Sequence, residues 1–203
     1  MSNFEEKVSC SVLDRLHSEI EKVVSSKPHV IIAIDGNCGS GKTFYSSQLA
    51  TLLNAEVIHC DHFFLPKAMR TSERLNEAGG NVHYERLREV LFKLKKEQSV
   101  VYGNGKEQFA YKAYNCSTDA YEQIILSLTN VVIVEGSYSL HKSLREFYDL
   151  KILLTVNEQT QRCRLLQREG ELGLVNFVNK WIPLENRYFA TLDTTDCIVI
   201  PTD

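Results

Sequence analysis

One stretch leaves this 203-residue chain little freedom in what it can become: Val30-Ile31-Ile32-Ala33-Ile34-Asp35-Gly36-Asn37-Cys38-Gly39-Ser40-Gly41-Lys42-Thr43. An apolar run of β-forming residues passes into a glycine loop and then into helix-forming sequence. Gly36, Gly41, Lys42 and Thr43 satisfy the spacing G-x-x-x-x-G-K-[ST] of a phosphate-binding loop. Glycines let the backbone adopt left-handed dihedrals, so the N–H groups along Gly36, Asn37, Cys38, Gly39, Ser40 and Gly41 can turn inward around an anion. A helix beginning near Lys42 aims its positive end at the same anion. Lys42 would bring an ammonium to the β- and γ-phosphates, and the Thr43 hydroxyl would ligate Mg²⁺. A chance match arises on the order of once per hundred chains of this length. Its place between a strand and a helix makes chance rarer still.

Bulk properties exclude several partners. The length suits one domain, 1–203, with a sizeable core. A net charge of −3 supplies no field for a polyanion, so nucleic acid is not expected. No apolar run approaches membrane-spanning length, and the first residues lack a basic start and apolar core, so neither a membrane nor a secretory route is expected. The six cysteines are scattered without a C-x-x-C pair. The plain reading is reduced thiols in a cytoplasmic protein, with no zinc site and no disulfide framework.

Along the chain, Phe4, Val8, Val12, Leu16, Ile20 and Val24 recur every four residues and predict an amphipathic helix within 1–27 that packs on the domain. The run 30–34 is nearly all apolar, as in a central parallel strand covered on both faces. A helix is predicted over 44–54 and a short strand over 56–60. Asp61 then stands just past the C-terminal end of a parallel strand, where such sheets bind ligands. The polar stretch 67–82, with Gly79-Gly80, reads as a mobile or partly helical excursion, and 84–96 as a helix. The turn signal Gly103-Asn104-Gly105-Lys106 predicts a hairpin pairing 100–102 with 109–111. Tyr111, Tyr114 and Tyr121 are either half-buried strand aromatics or a stacking surface for a substrate.

The strand 131–134 ends in Glu135-Gly136, which makes Glu135 the candidate carboxylate for the Mg²⁺ shell. A further strand is predicted over 150–156. The helix over 159–169 carries Arg162, Arg164 and Arg168, either a solvated face or a lid (157–175) whose arginines neutralise a transferring phosphoryl group. The aromatic helix over 177–192 reads as core packing, and 197–201 as a closing strand. Strands alternate with helices, so the fold class is α/β with a mainly parallel sheet and helices on both faces. Cys38, beside a helix N-terminus, is either an activated thiol that alkylation would block or a small filler. A GTPase reading fails because Asn179-Lys180-Trp181-Ile182 lacks the aspartate of a base-reading N-K-x-D.

Ile32-Ala33-Ile34-Asp35-Gly36 with its loop, Cys60-Asp61-His62-Phe63-Phe64, Val134-Glu135-Gly136, Arg164-Leu165-Leu166-Gln167-Arg168-Glu169 and Asp196-Cys197-Ile198-Val199-Ile200-Pro201 together resemble the uridine kinase and phosphoribulokinase family. The resemblance implies a P-loop NTPase fold, ATP and Mg²⁺ as cofactors, and a kinase that phosphorylates a hydroxyl of a small molecule, foremost the 5′-hydroxyl of uridine or cytidine. It implies Asp61 as the base facing that hydroxyl and Lys42, Arg164 and Arg168 as its catalytic companions. Phe63, His83, Tyr84, Tyr111 and Tyr114 stand where the family binds its acceptor. Members are often homo-oligomeric. Asn81-Val82-His83-Tyr84 departs from the family's His-Pro-Asp-type run, and Tyr114-Asn115 from its Tyr-Asp. Two other readings remain open: the same fold with another alcohol acceptor, such as pantothenate or nicotinamide riboside, and a non-catalytic nucleotide-binding regulator.

Overall fold

The computed structural model describes residues 3–100 and 108–203, with side chains for 10–98 and 108–203. Helix α1 (Asn3–Val24) leads into strand β1 (Val30–Gly36), and helix α2 (Lys42–Leu53) into β2 (Glu56–His59). The excursion contains the short helix α3 (Ser72–Asn76) and is followed by α4 (Tyr84–Val100). Strands β3 (Gln108–Asn115) and β4 (Ala120–Ser127) form a hairpin. Then come β5 (Val131–Glu135), β6 (Leu150–Thr155), helix α5 (Glu158–Asn176), a π-helical turn at Phe177–Trp181, helix α6 (Ile182–Phe189) and β7 (Ile198–Pro201).

The main sheet has the order β2-β5-β1-β6-β7, every neighbouring pair parallel. Alternation along β1 explains why the strand is apolar throughout. Val30, Ile32 and Ile34 face Val12, Leu16 and Ile20 of α1 and Leu49 of α2. Ile31 and Ala33 face the other way, toward Leu87, Leu91 and Leu94 of α4 and Phe109 of the hairpin. Both faces are therefore dry, and each fully buried leucine or isoleucine contributes about 2 kcal/mol. The expected α1 stripe is buried at Val12, Leu16 and Ile20; the side chains of Phe4 and Val8 lie outside the described residues. No helix among the described residues is long and apolar enough to cross a membrane.

The hairpin differs from the expectation. Val100 ends α4, and Phe109, Ala110 and Tyr111 pair with Leu126, Ile125 and Ile124. The Gly103–Lys106 signal lies outside the described residues. The turn that closes β3 onto β4 contains no glycine. Asn115 Oδ1 accepts from the N–H of Ser117 at 2.9 Å and Thr118 at 3.3 Å, and Asp119 takes the left-handed conformation, φ 55°. An Asx turn of this kind is easily overlooked beside a louder glycine signal.

Candidate active site

The glycine loop lies between the end of β1 and the start of α2. Gly36 is required by crowding: a Cβ there would sit 2.2 Å from the Leu154 carbonyl oxygen of the neighbouring strand. Gly41, at φ 86°, supplies the left-handed residue from which α2 departs. Lys42 is buried, and its Nζ donates to the carbonyls of Gly36 at 2.8 Å and Asn37 at 2.9 Å. Its ammonium is thus parked along the loop that it would serve.

Helix α5 supports the loop from behind. Asn157 caps the helix by accepting from the Thr160 N–H at 2.8 Å. One turn on, Gln161 Nε2 donates to the Cys38 carbonyl at 2.8 Å and its Sγ at 3.3 Å. Arg164 donates to the Gly39 carbonyl at 3.0 Å and to the Thr202 carbonyl at 2.6 Å. Arg164 lines the cavity yet is committed to holding the loop. Arg168 is exposed; it pairs with Glu169 at 2.6 Å, and its guanidinium lies 5.4 Å over the Phe177 ring. Helix α5 bends at Gly170, φ 71°, just beyond these arginines.

Glu135 ends β5, buried between β1 and β2. Its carboxylate accepts from Thr43 Oγ1 at 3.3 and 3.4 Å and from His59 Nδ1 at 2.5 Å. That hydrogen bond is the main cause of the raised His59 pKa. The register pairs His59 with Glu135 across the two strands. The sequence held no signal for this contact, because strand order is not written locally. A hydroxyl beside a carboxylate fits Mg²⁺, a hard cation that takes one or two protein oxygens and fills its shell with water and phosphate.

Asp61 stands in a 3-10 turn, Cys60–Phe63, directly after β2. It projects into the cavity with Lys42, Thr43, Glu135 and Arg168 along the walls. The surrounding walls, and next the charge of Glu135, raise its pKa above the ordinary carboxylate value. The cavity measures about 690 Å³, ample for a nucleotide tail and a small acceptor.

Several expected substrate contacts lie elsewhere. Phe63 is fully buried, stacked on Tyr111 at 5.5 Å under the Arg86 guanidinium at 4.6 Å. Tyr111 hydrogen bonds to His62 Nδ1 at 2.8 Å, and the Tyr114 hydroxyl donates to Asp119. Tyr84 is sandwiched by His141 and Arg74, each 4.0 Å away, and the Nδ1 of its neighbour His83 is buried without a partner. None of these five residues lines the cavity. Inward-facing positions of β3 carry their rings into the core, and the next residue after Phe63, Phe64, takes the cavity wall instead. Asn81, Tyr138, Phe177, Trp181 and Glu185 line it as well. The aromatic segment expected to be core packing therefore supplies a wall of the cleft. Residues four apart, 177, 181 and 185, carried that signal.

One buried group beneath the loop was also missed, and Cys38 there is now decided. Asp35 is fully buried and accepts from the N–H groups of Gly36, Tyr138 and Leu140 and from the Tyr188 hydroxyl at 2.7–3.1 Å. Burial outweighs these donors and pushes its pKa up to about 6. Cys38 is not activated by the helix end. Burial, then the charge of Glu185, pushes its thiol well up, so the filler reading describes it.

The family model described as phosphoribulokinase / uridine kinase family matches residues 31–171. A comparison with curated protein sequences gave no match. Among solved structures, a candidate uridine kinase from Bacillus stearothermophilus is 19% identical, with a TM-score of 0.67 over 94% of this chain and 97% of that one. A candidate fructose transport system kinase from Silicibacter sp. is 20% identical, with a TM-score of 0.71 over 93% and 98%. YFH7 from Saccharomyces cerevisiae, described as a P-loop kinase with a circular permutation, is 12% identical, with a TM-score of 0.70 over 94% and 99%. These likenesses carry the fold, whereas the family match spans most of the chain, including the loop, Asp61, Glu135, Arg164 and Arg168: the chain belongs to the phosphoribulokinase / uridine kinase family and has the P-loop kinase fold.

Proposed function

We propose that this protein transfers the γ-phosphate of Mg·ATP to a hydroxyl of a small molecule, with the 5′-hydroxyl of uridine or cytidine as the first acceptor to test. The observation that carries the reading is the convergence of Asp61, Lys42, Thr43, Glu135 and Arg168 on one cavity. The N–H groups of Gly36, Cys38 and Ser40, expected to face the anion, are instead taken by Asp35, Glu185 and the Asn37 carbonyl, so the remaining loop N–H groups and Lys42 hold the phosphates. Thr43 and Glu135 would hold Mg²⁺, which, when bound, neutralises charge on the β- and γ-phosphates. The Asp61 carboxylate accepts the proton of the acceptor hydroxyl. That oxygen then bonds to the γ-phosphorus as the bond to the β-phosphate oxygen breaks, and ADP leaves. Arg168, on the α5 side of the cleft, steadies the charge on the transferring group.

Replacing Asp61 by Asn keeps size and removes basicity. Asp61→Asn is expected to lower kcat by about 10²–10⁴ while ATP still binds, as read by ADP release and by calorimetry. Wild-type turnover in that variant would rule out the base. One observation favours an acceptor other than a pyrimidine nucleoside: Phe63, Tyr111 and Tyr114, the side chains expected to bind the nucleoside, are packed away from the cavity. Coupled ADP detection across a panel of alcohols separates the two acceptor readings.

A further inference from the structure

The residues lining the cavity divide by the elements that supply them. Loop and lid contribute Lys42, Arg164 and Arg168, which are its three lysine and arginine side chains among the described residues. Each is already engaged: Lys42 with loop carbonyls, Arg164 with Gly39 and Thr202, Arg168 with Glu169. The remaining walls, from the segment after β2, the segment after β5 and the helical stretch 177–189, contribute Asp61, Phe64, Asn81, Tyr138, Trp181 and Glu185. They bring aromatic rings and two carboxylates, and no cation.

Glu185 has no part in the chemistry described above, yet it is only 4% exposed and faces the cavity wall. Its Oε2 accepts from the Cys38 N–H at 2.8 Å, and its Oε1 accepts from the Ser137 hydroxyl at 2.7 Å. A carboxylate can only accept, and each oxygen keeps capacity for another donor. The π-helical turn Phe177–Trp181 runs directly into α6 and sets Trp181 four residues before Glu185, on the same side. Such turns interrupt α-helices frequently at functional sites.

Resting on the kinase reading, we propose that Glu185 is an acceptor-positioning residue that accepts a hydrogen bond from a second hydroxyl or an amine of the acceptor. The acceptor is accordingly an uncharged or amine-bearing polyhydroxyl compound, not a sugar phosphate. A phosphate on the acceptor would meet Asp61 and Glu185 with no free cation among the described residues of those walls. A hydroxyl or ammonium would instead find a buried, oriented acceptor.

The test is ADP release with Mg·ATP and three sets of alcohols: uncharged polyols and ribonucleosides, amino alcohols, and pentose or hexose phosphates. Turnover is expected in the first two sets, with kcat/KM for any sugar phosphate at least a hundredfold lower. Glu185→Gln keeps an oxygen for the Cys38 N–H; it is expected to raise the acceptor KM at least tenfold and to leave the ATP KM within twofold. Glu185→Asp, which restores the charge, should recover part of that loss. Efficient turnover of a sugar phosphate overturns the inference and leaves the kinase reading standing. An ATP KM that rises in step with the acceptor KM makes Glu185 a support for the loop and also overturns it. ATP binding without ADP from any alcohol sinks the kinase reading, and the role of Glu185 with it. The wild-type panel decides the charge question even if both variants misfold.

Discussion

The two ends of the cleft are built in opposite ways. The phosphate end is one contiguous run, Gly36 to Thr43, whose working parts are mostly backbone N–H groups. The end proposed to take the acceptor is lined by side chains at 61, 64, 81, 138, 181 and 185, brought together by separate elements of the fold. Backbone donors survive most substitutions so long as the loop keeps its shape, and that shape needs small residues at a few positions. Side-chain walls change with each substitution. One end can therefore stay constant while the other is re-cut for a new alcohol. This separation makes the reaction type easier to read than the acceptor.

The largest effect that would test the contrast is at the constant end. Lys42→Ala removes the only side-chain cation within the loop and is expected to lower kcat/KM by about a thousandfold, roughly 4 kcal/mol, with every acceptor alike. An acceptor-dependent loss would mean that the two ends are not separable. Beneath the loop, Asp35 links β1 to the segment after β5 and to α6. Its folded pKa of about 6 lies above the ordinary 3.8, so folding favours the protonated form. Its contribution to stability is full below about pH 4 and is lost as pH rises through about 6. The loss amounts to about 3 kcal/mol. Urea unfolding of wild type and Asp35→Asn between pH 4.5 and 7.5 captures about 2 kcal/mol of it: relative to the variant, the wild type should lose stability with rising pH. A constant difference would show that Asp35 stays ionised throughout. The smallest effect is at the variable end. Trp181→Ala should raise the acceptor KM about tenfold, on the order of 1.4 kcal/mol, and leave the ATP KM unchanged. A loss of ATP affinity would place that ring against the nucleotide.

Where sequence reading failed, it failed over side-chain direction. Asp61 and Glu135 could be expected on the cavity wall because they lie at the C-terminal ends of short apolar strands, and strand tips of parallel sheets converge on the ligand crevice. Phe63 was chosen over Phe64 because the two are adjacent and chemically alike; only the 3-10 turn decides which ring faces the core. Arg164 and Arg168, one turn apart on α5, looked equivalent. Their roles differ because Arg164 packs against the loop and Thr202 while Arg168 stands over the cleft. Cys38 sits close to a helix N-terminus in sequence, but burial, and next the charge of Glu185 far along the chain, outweigh the helix end there.

Periodicity and one loop motif were enough to establish the α/β class, the five strands of the main sheet along the chain and a phosphate-binding loop motif. All three arise from neighbours in sequence: apolar spacing, glycine placement and a lysine at the start of a helix. Strand order in space, the His59–Glu135 contact, the buried Asp35 cluster and the wall carrying Trp181 and Glu185 came only with the folded chain. They join residues up to 153 positions apart. Such pairings depend on which elements the sheet sets side by side, and that is decided by packing of the whole molecule.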